Sequence, residues 1–305
     1  MSRRVVALDH LPVELLYDIH AFASSPALPL TCKYLYEVFK SAPATVHADY
    51  LISCYENLAA QSASVRAFGF VSRILRYPIC TQEVLEAIFR NPSCPLASST
   101  HSTQRTVTVL PRRLFRNLAP RDDPGQRPWT DDDEPLPFLR YLYGHERISV
   151  IATNSYDGYA LTRAVYAEFT PLVRFLLANE ASPECKDNLA VAVAIRRRSL
   201  PLVRMLIERD GPGDVAGDSN TIAQTVKRTG GGGSGRDVVV IGKKRSSSSD
   251  IAPRSAKKRK LGDRVTVNQE MLKTAVKCDA RDIVEYLMRE KGCVPNMQTV
   301  LLMGQ

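Results

Sequence analysis

The 305-residue chain has no run approaching the roughly 20 consecutive apolar residues that a membrane-spanning helix needs. Its longest uncharged early stretch, Ile19 to Cys32, carries Pro26, Pro29 and several serines. Val5 to Leu8 are too few for a signal-peptide core and are interrupted by Asp9 and His10. A cytosolic or nuclear compartment is therefore expected, with no membrane contact. Cysteine is sparse and odd in number: seven residues, none in a CxxC pair and none with a histidine at metal-finger spacing. They read as small, mostly buried thiols in a reducing compartment. Histidine is rarer still, at five, and none accompanies a serine or cysteine in a nucleophile motif. The glycine run 230–233 leads into Ser234-Gly235-Arg236, not into the Gly-Lys-Ser/Thr of a phosphate loop. Gly242-Lys243-Lys244 puts a lysine where a hydroxyl would have to hold magnesium. No cofactor, no metal and no enzymatic activity are expected.

The chain is otherwise ordinary for a globular protein, with 44% hydrophobic and 24% charged residues. Its net charge of +9 is a local property. Residues 227–264 hold twelve basic and three acidic residues, which accounts for the whole excess, and the remainder balances to zero. A basic groove on a folded domain is thus not supported, and a nucleic-acid partner is not expected. The same stretch is low in complexity, with four consecutive glycines at 230–233 and four serines at 246–249. Such composition offers little to bury, so about 212–263 reads as a disordered insertion, with Val238 to Ile241 too short to hold a strand alone. A second stretch, about 95–136, reads as an irregular linker. Five prolines between Pro120 and Pro137 punctuate its end, and its acidic run Asp131 to Glu134 reads as a solvated loop. Leu110, Leu114 and Leu118 recur every fourth residue and suggest a helix within it.

The strongest pattern is a repeat. Phe138-Leu139-x-x-Leu142-Tyr143, Leu172-Val173-x-x-Leu176-Leu177, Leu202-Val203-x-x-Leu206-Ile207 and Ile283-Val284-x-x-Leu287-Met288 each place apolar residues on one helical stripe. They lie 34, 30 and 81 residues apart, and looping out the 52 residues of 212–263 turns 81 into 29. The last three follow segments rich in small residues: Ala160-Leu161-x-x-Ala164-Val165, Ala190-Val191-x-x-Ala194-Ile195 and Met271-Leu272-x-x-Ala275-Val276. Alanine allows close helix approach, so the unit is a helical hairpin that must stack on its neighbours to bury its face. Four chance stripes in an unrelated bundle are the rival reading.

These segments resemble ankyrin repeats. Leu161, Ala164, Val173, Leu176 and Leu177 fall on that family's Leu-His-x-Ala and Ile-Val-x-x-Leu-Leu positions. Ala181-Ser182-Pro183 and Gly292 to Asn296 resemble the turn that follows. The departures are Tyr159-Ala160 in place of Thr-Pro, Thr162 in place of His, and Glu168, Arg198 and Asp279 in place of the glycine between helices. The resemblance implies protein binding through a concave face.

Near the start, Leu11-Pro12-Val13-Glu14-Leu15-Leu16 opens a helix with proline in its first turn and an acid at its positive end. Leu11, Leu15, Leu16, Ile19 and Phe22 form its stripe, Pro26 and Pro29 end it, and a second helix carries Leu30, Cys32, Leu35, Tyr36 and Phe39. These residues resemble an F-box, although the tryptophan usual after the Cys-Lys pair is absent. The resemblance implies docking on the Skp-type adaptor of a cullin-RING ubiquitin ligase through Leu11, Pro12, Leu15, Leu16, Ile19, Leu30 and Leu35. The alternative reading is that this pair merely caps the helical stack. Lys243-Lys244-Arg245, eleven residues, then Lys257-Lys258-Arg259-Lys260 resembles a bipartite nuclear localisation signal, implying importin as a partner and nuclear residence shared with the cytoplasm. A solvating linker or nonspecific phosphate attraction are its alternatives.

The expected architecture is all-α. It comprises an F-box-like module at 1–45, connecting helices at 46–94, a linker at 95–136, ankyrin-like repeats at 137–211, the basic insertion at 212–263, and a last repeat with a C-terminal cap at 264–305. The expected role is a ligase substrate receptor whose repeats hold an unidentified target protein, or alternatively a nuclear ankyrin-repeat scaffold without ligase coupling.

Overall fold

The computed structural model describes residues 8–61, 69–96, 107–123, 125–209 and 262–303, and it is mostly helical. Helix α1 (Val13–Ala23) follows Pro12 and ends where Ser24 turns left-handed (φ 45°), its amide donating to His20 O at 3.0 Å and its hydroxyl to Ala21 O at 3.0 Å. A 3₁₀ turn (Leu28–Leu30) leads into α2 (Lys33–Lys40). The second helix therefore begins after Leu30 and Cys32, which the sequence had suggested would lie within it. Pro29 still permits a tight turn, but the chain is extended at Cys32 (φ −152°, ψ 161°).

Helices α3 (Ala44–Gln61), α4 (Phe70–Ile74) and α5 (Gln82–Arg90) follow. Thr81 caps α5 by accepting from Val84 N at 3.4 Å, which satisfies one of the amides a helix start leaves open. The expected helix over Leu110–Leu118 is reduced to one turn, α6 (Arg113–Arg116). Thr108 and Val109 instead form β1, paired parallel with β2 (Ile151–Ala152), and these are the only strands among the described residues. Branched side chains favour that extended start, and Pro111 supplies no amide for a helix. Leu110, Phe115 and Leu118 are nonetheless buried.

The described part of 95–136 is thus packed rather than a loose linker, and one acidic residue holds it. Within the acidic run Asp131, Asp132 and Glu134 are exposed as expected, but Asp133 is only 6% exposed and departs from the reading of a solvated loop. Its carboxylate accepts from Arg127 (2.7 Å), from both guanidinium nitrogens of Arg121 (3.2 Å), and from the Thr130 amide (2.7 Å) and hydroxyl (3.0 Å). These bonds, that from Arg121 first, hold its pKa well below the usual carboxylate range. Arg121 lies over the Trp129 ring, 3.4 Å from its centroid. Trp129 in turn stacks on Phe169 and donates its indole N–H to Ala167 O at 2.8 Å.

After α7 (Leu136–Gly144) come the recurring hairpins: α8 (Ser155–Tyr166) with α9 (Thr170–Ala178), α10 (Cys185–Arg196) with α11 (Leu200–Ile207), and α12 (Gln269–Lys277) with α13 (Arg281–Glu285), which runs into a π turn at Tyr286–Glu290. A last helix, α14 (Met297–Met303), packs on α12. Helix α8 packs on α10 and α10 on α12, while α9 packs on α11 and α11 on α13. Ala160, Ala164, Ala190, Ala194 and Ala275 are all buried in these contacts, as are Leu172, Val173, Leu176, Leu202, Val203, Leu206, Ile283 and Leu287.

Each hairpin turns in the same way. Glu168, Arg198 and Asp279 are left-handed (φ 56°, 55° and 51°). The following amides of Phe169, Ser199 and Ala280 reach back to the carbonyls of Ala164 (3.0 Å), Ala194 (3.2 Å) and Ala275 (3.1 Å). The left-handed residues themselves donate to Val165, Ile195 and Val276. This is the paired bonding of a Schellman cap, normally a glycine site. Two hairpins are also entered alike: Tyr156, Asp157 and Gly158 are left-handed, and so are Lys186, Asp187 and Asn188, thirty residues later. Where the basic insertion leaves and returns, Arg264 N donates to Ile207 O at 2.6 Å and Arg264 Nε to Glu208 O at 3.1 Å, so the chain re-enters where it left.

Of the seven cysteines, Cys54, Cys80 and Cys94 are buried, Cys185, Cys278 and Cys293 are half-buried, and Cys32 is exposed. The expectation of mostly buried thiols holds for three. Burial raises the Cys80 thiol to about 12, which keeps it protonated and inert.

Candidate functional site

The residues singled out near the start divide between two faces of α1 and α2. Leu16 and Leu35 are buried (1% and 2% exposed) and with Phe39 form a small core of their own, against which Leu11, Tyr17, Leu28 and Val38 pack. Leu15 and Leu30 point outward, at 48% and 75% exposed. Leu11 and Ile19 are half-buried and Pro12 is exposed. The division follows helical geometry. Leu16 and His20 are four apart on the inner face, and Leu15, Ile19 and Phe22, at i, i+4 and i+7, run along the outer one. Phe22 is 87% exposed and belongs with the candidate residues, as do Tyr34 and Tyr36 at 43%. The i+7 spacing from Leu15 was the signal for Phe22.

His20 joins this small core to the rest and was not singled out by sequence. Its ring stacks on Tyr50 of α3 (centroids 4.0 Å apart, planes 9° apart) and lies 4.2 Å from Phe39 of α2. It is 5% exposed, and its Nδ1 has no hydrogen-bond partner among the described residues. Burial, with the neighbouring His47, holds its pKa down at about 4. Polar ties also cross this junction: Asn57 Nδ2 donates to Ser24 Oγ (2.8 Å), Cys54 Sγ lies 3.7 Å from Ser24 O, and His47 Nε2 lies 2.8 Å from Phe39 O.

The basic residues Lys243, Lys244, Arg245, Lys257, Lys258, Arg259 and Lys260 lie outside the described residues, as does the suggested strand at Val238 to Ile241. Among the described residues, two shallow grooves open on the surface. One, of about 470 Å³, is floored by Val109, Ile151 and Ala152 and bordered by Tyr156 and Glu180. The other, of about 530 Å³, lies between α5 and α7 and is lined by Phe89, Tyr141 and His145 among others. Among the described residues no group of three or more histidine, cysteine or acidic side chains is placed to hold a metal ion, and no helix is long and apolar enough to cross a membrane. No family model matches the chain, and neither a curated protein nor a solved structure is significantly similar to it.

Proposed function

We propose that the chain is a non-enzymatic adaptor that brings a target protein to a ubiquitin ligase. In this reading α1 and α2 form an F-box-like module whose outer face docks a Skp-type adaptor, and the hairpins α8 to α13 form an ankyrin-like stack that holds the target. The observation that carries the first half is the outward position of Leu15 and Phe22 on α1 and of Leu30 in the turn before α2, beside a pair that already has its own core in Leu16, Leu35 and Phe39. Large apolar residues left exposed beside a core that does not need them are the kind that interaction sites use. The second half is supported by the left-handed caps at Glu168, Arg198 and Asp279, the three positions where ankyrin repeats carry glycine. Importin would carry the protein to the nucleus through the two basic clusters at 243–245 and 257–260.

The second reading is a nuclear ankyrin-repeat scaffold in which α1 and α2 only cap the chain. The packing of α1 on α3 and the His20–Tyr50 stack favour it. Binding of purified Skp-type adaptor to the full chain separates the two. The proposal expects binding by the wild type and a loss of at least about tenfold in Leu15→Asp, since a central interface anchor is worth about 2 kcal/mol or more. Circular dichroism should find Leu15→Asp folded. No binding by the wild type, or equal binding by a folded Leu15→Asp, removes the ligase role.

A further inference from the structure

Four neighbouring helices end along one edge of the hairpin stack. The last residues of α6, α8, α10 and α12 are Arg116, Tyr166, Arg196 and Lys277, and Arg198 follows two positions after α10. Helix α6 packs on α8, and α8, α10 and α12 pack in sequence, so these ends stand side by side. Arg163 fastens the first two together, donating to Phe115 O (3.3 Å) and Arg116 O (2.8 Å) and also bonding Leu118 O.

Arg116, Arg196, Arg198 and Lys277 are all exposed, and none forms an ion pair among the described residues. Carboxylates near these turns pair with other cations, Asp122 and Glu168 with Arg197 and Asp279 with Arg281. A favourable helix dipole explains a cation at any one helix end. It does not explain four unpaired cations on one edge of a chain whose charge outside 227–264 sums to zero.

We infer that this basic edge binds an acidic, extended segment of the target protein, an inference that rests on the target-holding role proposed for the stack. Packed helices lie about 8–10 Å apart, and a peptide extended as polyproline II advances about 3.1 Å per residue with three residues per turn. An acidic side chain at every third residue therefore lies on one face of the peptide and meets successive helix ends. Nucleic acid, whose strand charges recur about every 3.4 Å along the axis, is the competing ligand that the oligonucleotide arm of the test separates. Of the rings here, Trp129, which bonds to Ala167 O just past the end of α8, lies between Arg121 and Phe169, and Tyr166 carries the Arg163 guanidinium 5.0 Å from its centroid on one side.

The test uses the full chain and a synthetic peptide of Glu-Gly-Ser repeats bearing a photo-cross-linker. Binding is read by fluorescence anisotropy and position by mass spectrometry of the cross-links, because the basic stretch 227–264 will attract the same peptide. The inference expects cross-links at 116, 163–168, 196–198 and 277. It expects Arg196→Glu to weaken binding there by about fivefold or more, with Arg174→Glu, an equal charge change on the exposed face of α9, having less than about a twofold effect. Arg196→Gln serves if the glutamate variant fails to fold. Cross-links confined to 227–264, equal losses in the two variants, or tighter binding of an equally charged single-stranded oligonucleotide at this edge would each overturn the inference. Adaptor binding reads only α1 and α2, so either conclusion can fail while the other stands.

Discussion

The N-terminal helix pair and the hairpin stack bury their apolar residues very differently. In the stack the stripes of α9 and α11, Ile283 and Leu287 of the last hairpin, and Ala160, Ala164, Ala190, Ala194 and Ala275 go inside, while Val284, Met288 and Ala192 are half-buried, and each hairpin covers the next. In the pair, three buried residues make the whole core, and Leu15, Phe22 and Leu30 stay out. A stack earns its stability from neighbours, whereas a two-helix module cannot cover all its own apolar surface. What it leaves uncovered is available to a partner.

The largest expected effect lies in the stack. Leu176 is fully buried, and Leu176→Ala should cost about 3–4 kcal/mol and lower the single melting transition of the hairpins. Leu16→Ala removes a similar side chain but should release mainly 8–43, which hydrogen exchange would detect as local opening. If both variants lower every region equally, the two regions are one cooperative unit and the contrast drawn above fails.

Gly158→Ala comes next. Gly158 is left-handed (φ 71°), and an added Cβ would stand 2.8 Å from Cys185 Cβ. A loss of about 2–3 kcal/mol in chemical denaturation is expected, from strain and overlap together.

Acid should separate the regions. His20 is held near 4 in the fold against an ordinary value of 6.5, so its contribution is complete above pH 6.5 and is lost as pH falls toward 4, on the order of 2 kcal/mol. Asp133 is shifted down as well, so its contribution persists to lower pH and is lost only below its ordinary 3.8. Circular dichroism and hydrogen exchange at pH 5 should therefore find α1 and α2 loosened against α3 while 121–136 stays in place. His20→Phe should abolish the difference between pH 7 and pH 5.

A smaller effect of opposite sign is expected at a hairpin cap. Arg198 adopts a conformation that costs an L-residue about 1 kcal/mol, and Arg198→Gly should stabilise the stack by about 0.5–1 kcal/mol in thermal melts. The smallest stability change belongs to Leu15→Asp. At a half-exposed position it should shift unfolding by less than about 0.5 kcal/mol while removing adaptor binding.

The hairpins were legible because their period is written in side-chain size. Alternating alanine-rich and leucine-rich stripes every 30 residues encode both the helices and their stacking, and the 52-residue interruption could be removed by arithmetic. The caps were legible only as departures. Glu168, Arg198 and Asp279 carry no glycine, yet the backbone turns left-handed at each because the amide bonds to the preceding helix require it. The 107–136 stretch misled for a different reason. Its prolines and acids suggest solvent exposure, but Asp133 is buried by arginines 12 and 6 residues away, a pairing no local pattern announces. On α1 the apolar stripe was readable, while its division into an inner and an outer face depended on where α3 lies, and His20 at that boundary offers no signal of burial in its sequence context.

Hydrogen exchange of the full chain, with and without purified Skp-type adaptor, tests the contrast and the proposed role together. The account predicts that the adaptor slows exchange across 8–40 and leaves the stack at 155–207 unchanged. Unaltered exchange in 8–40 at saturating adaptor, or protection appearing only in the stack, would contradict it.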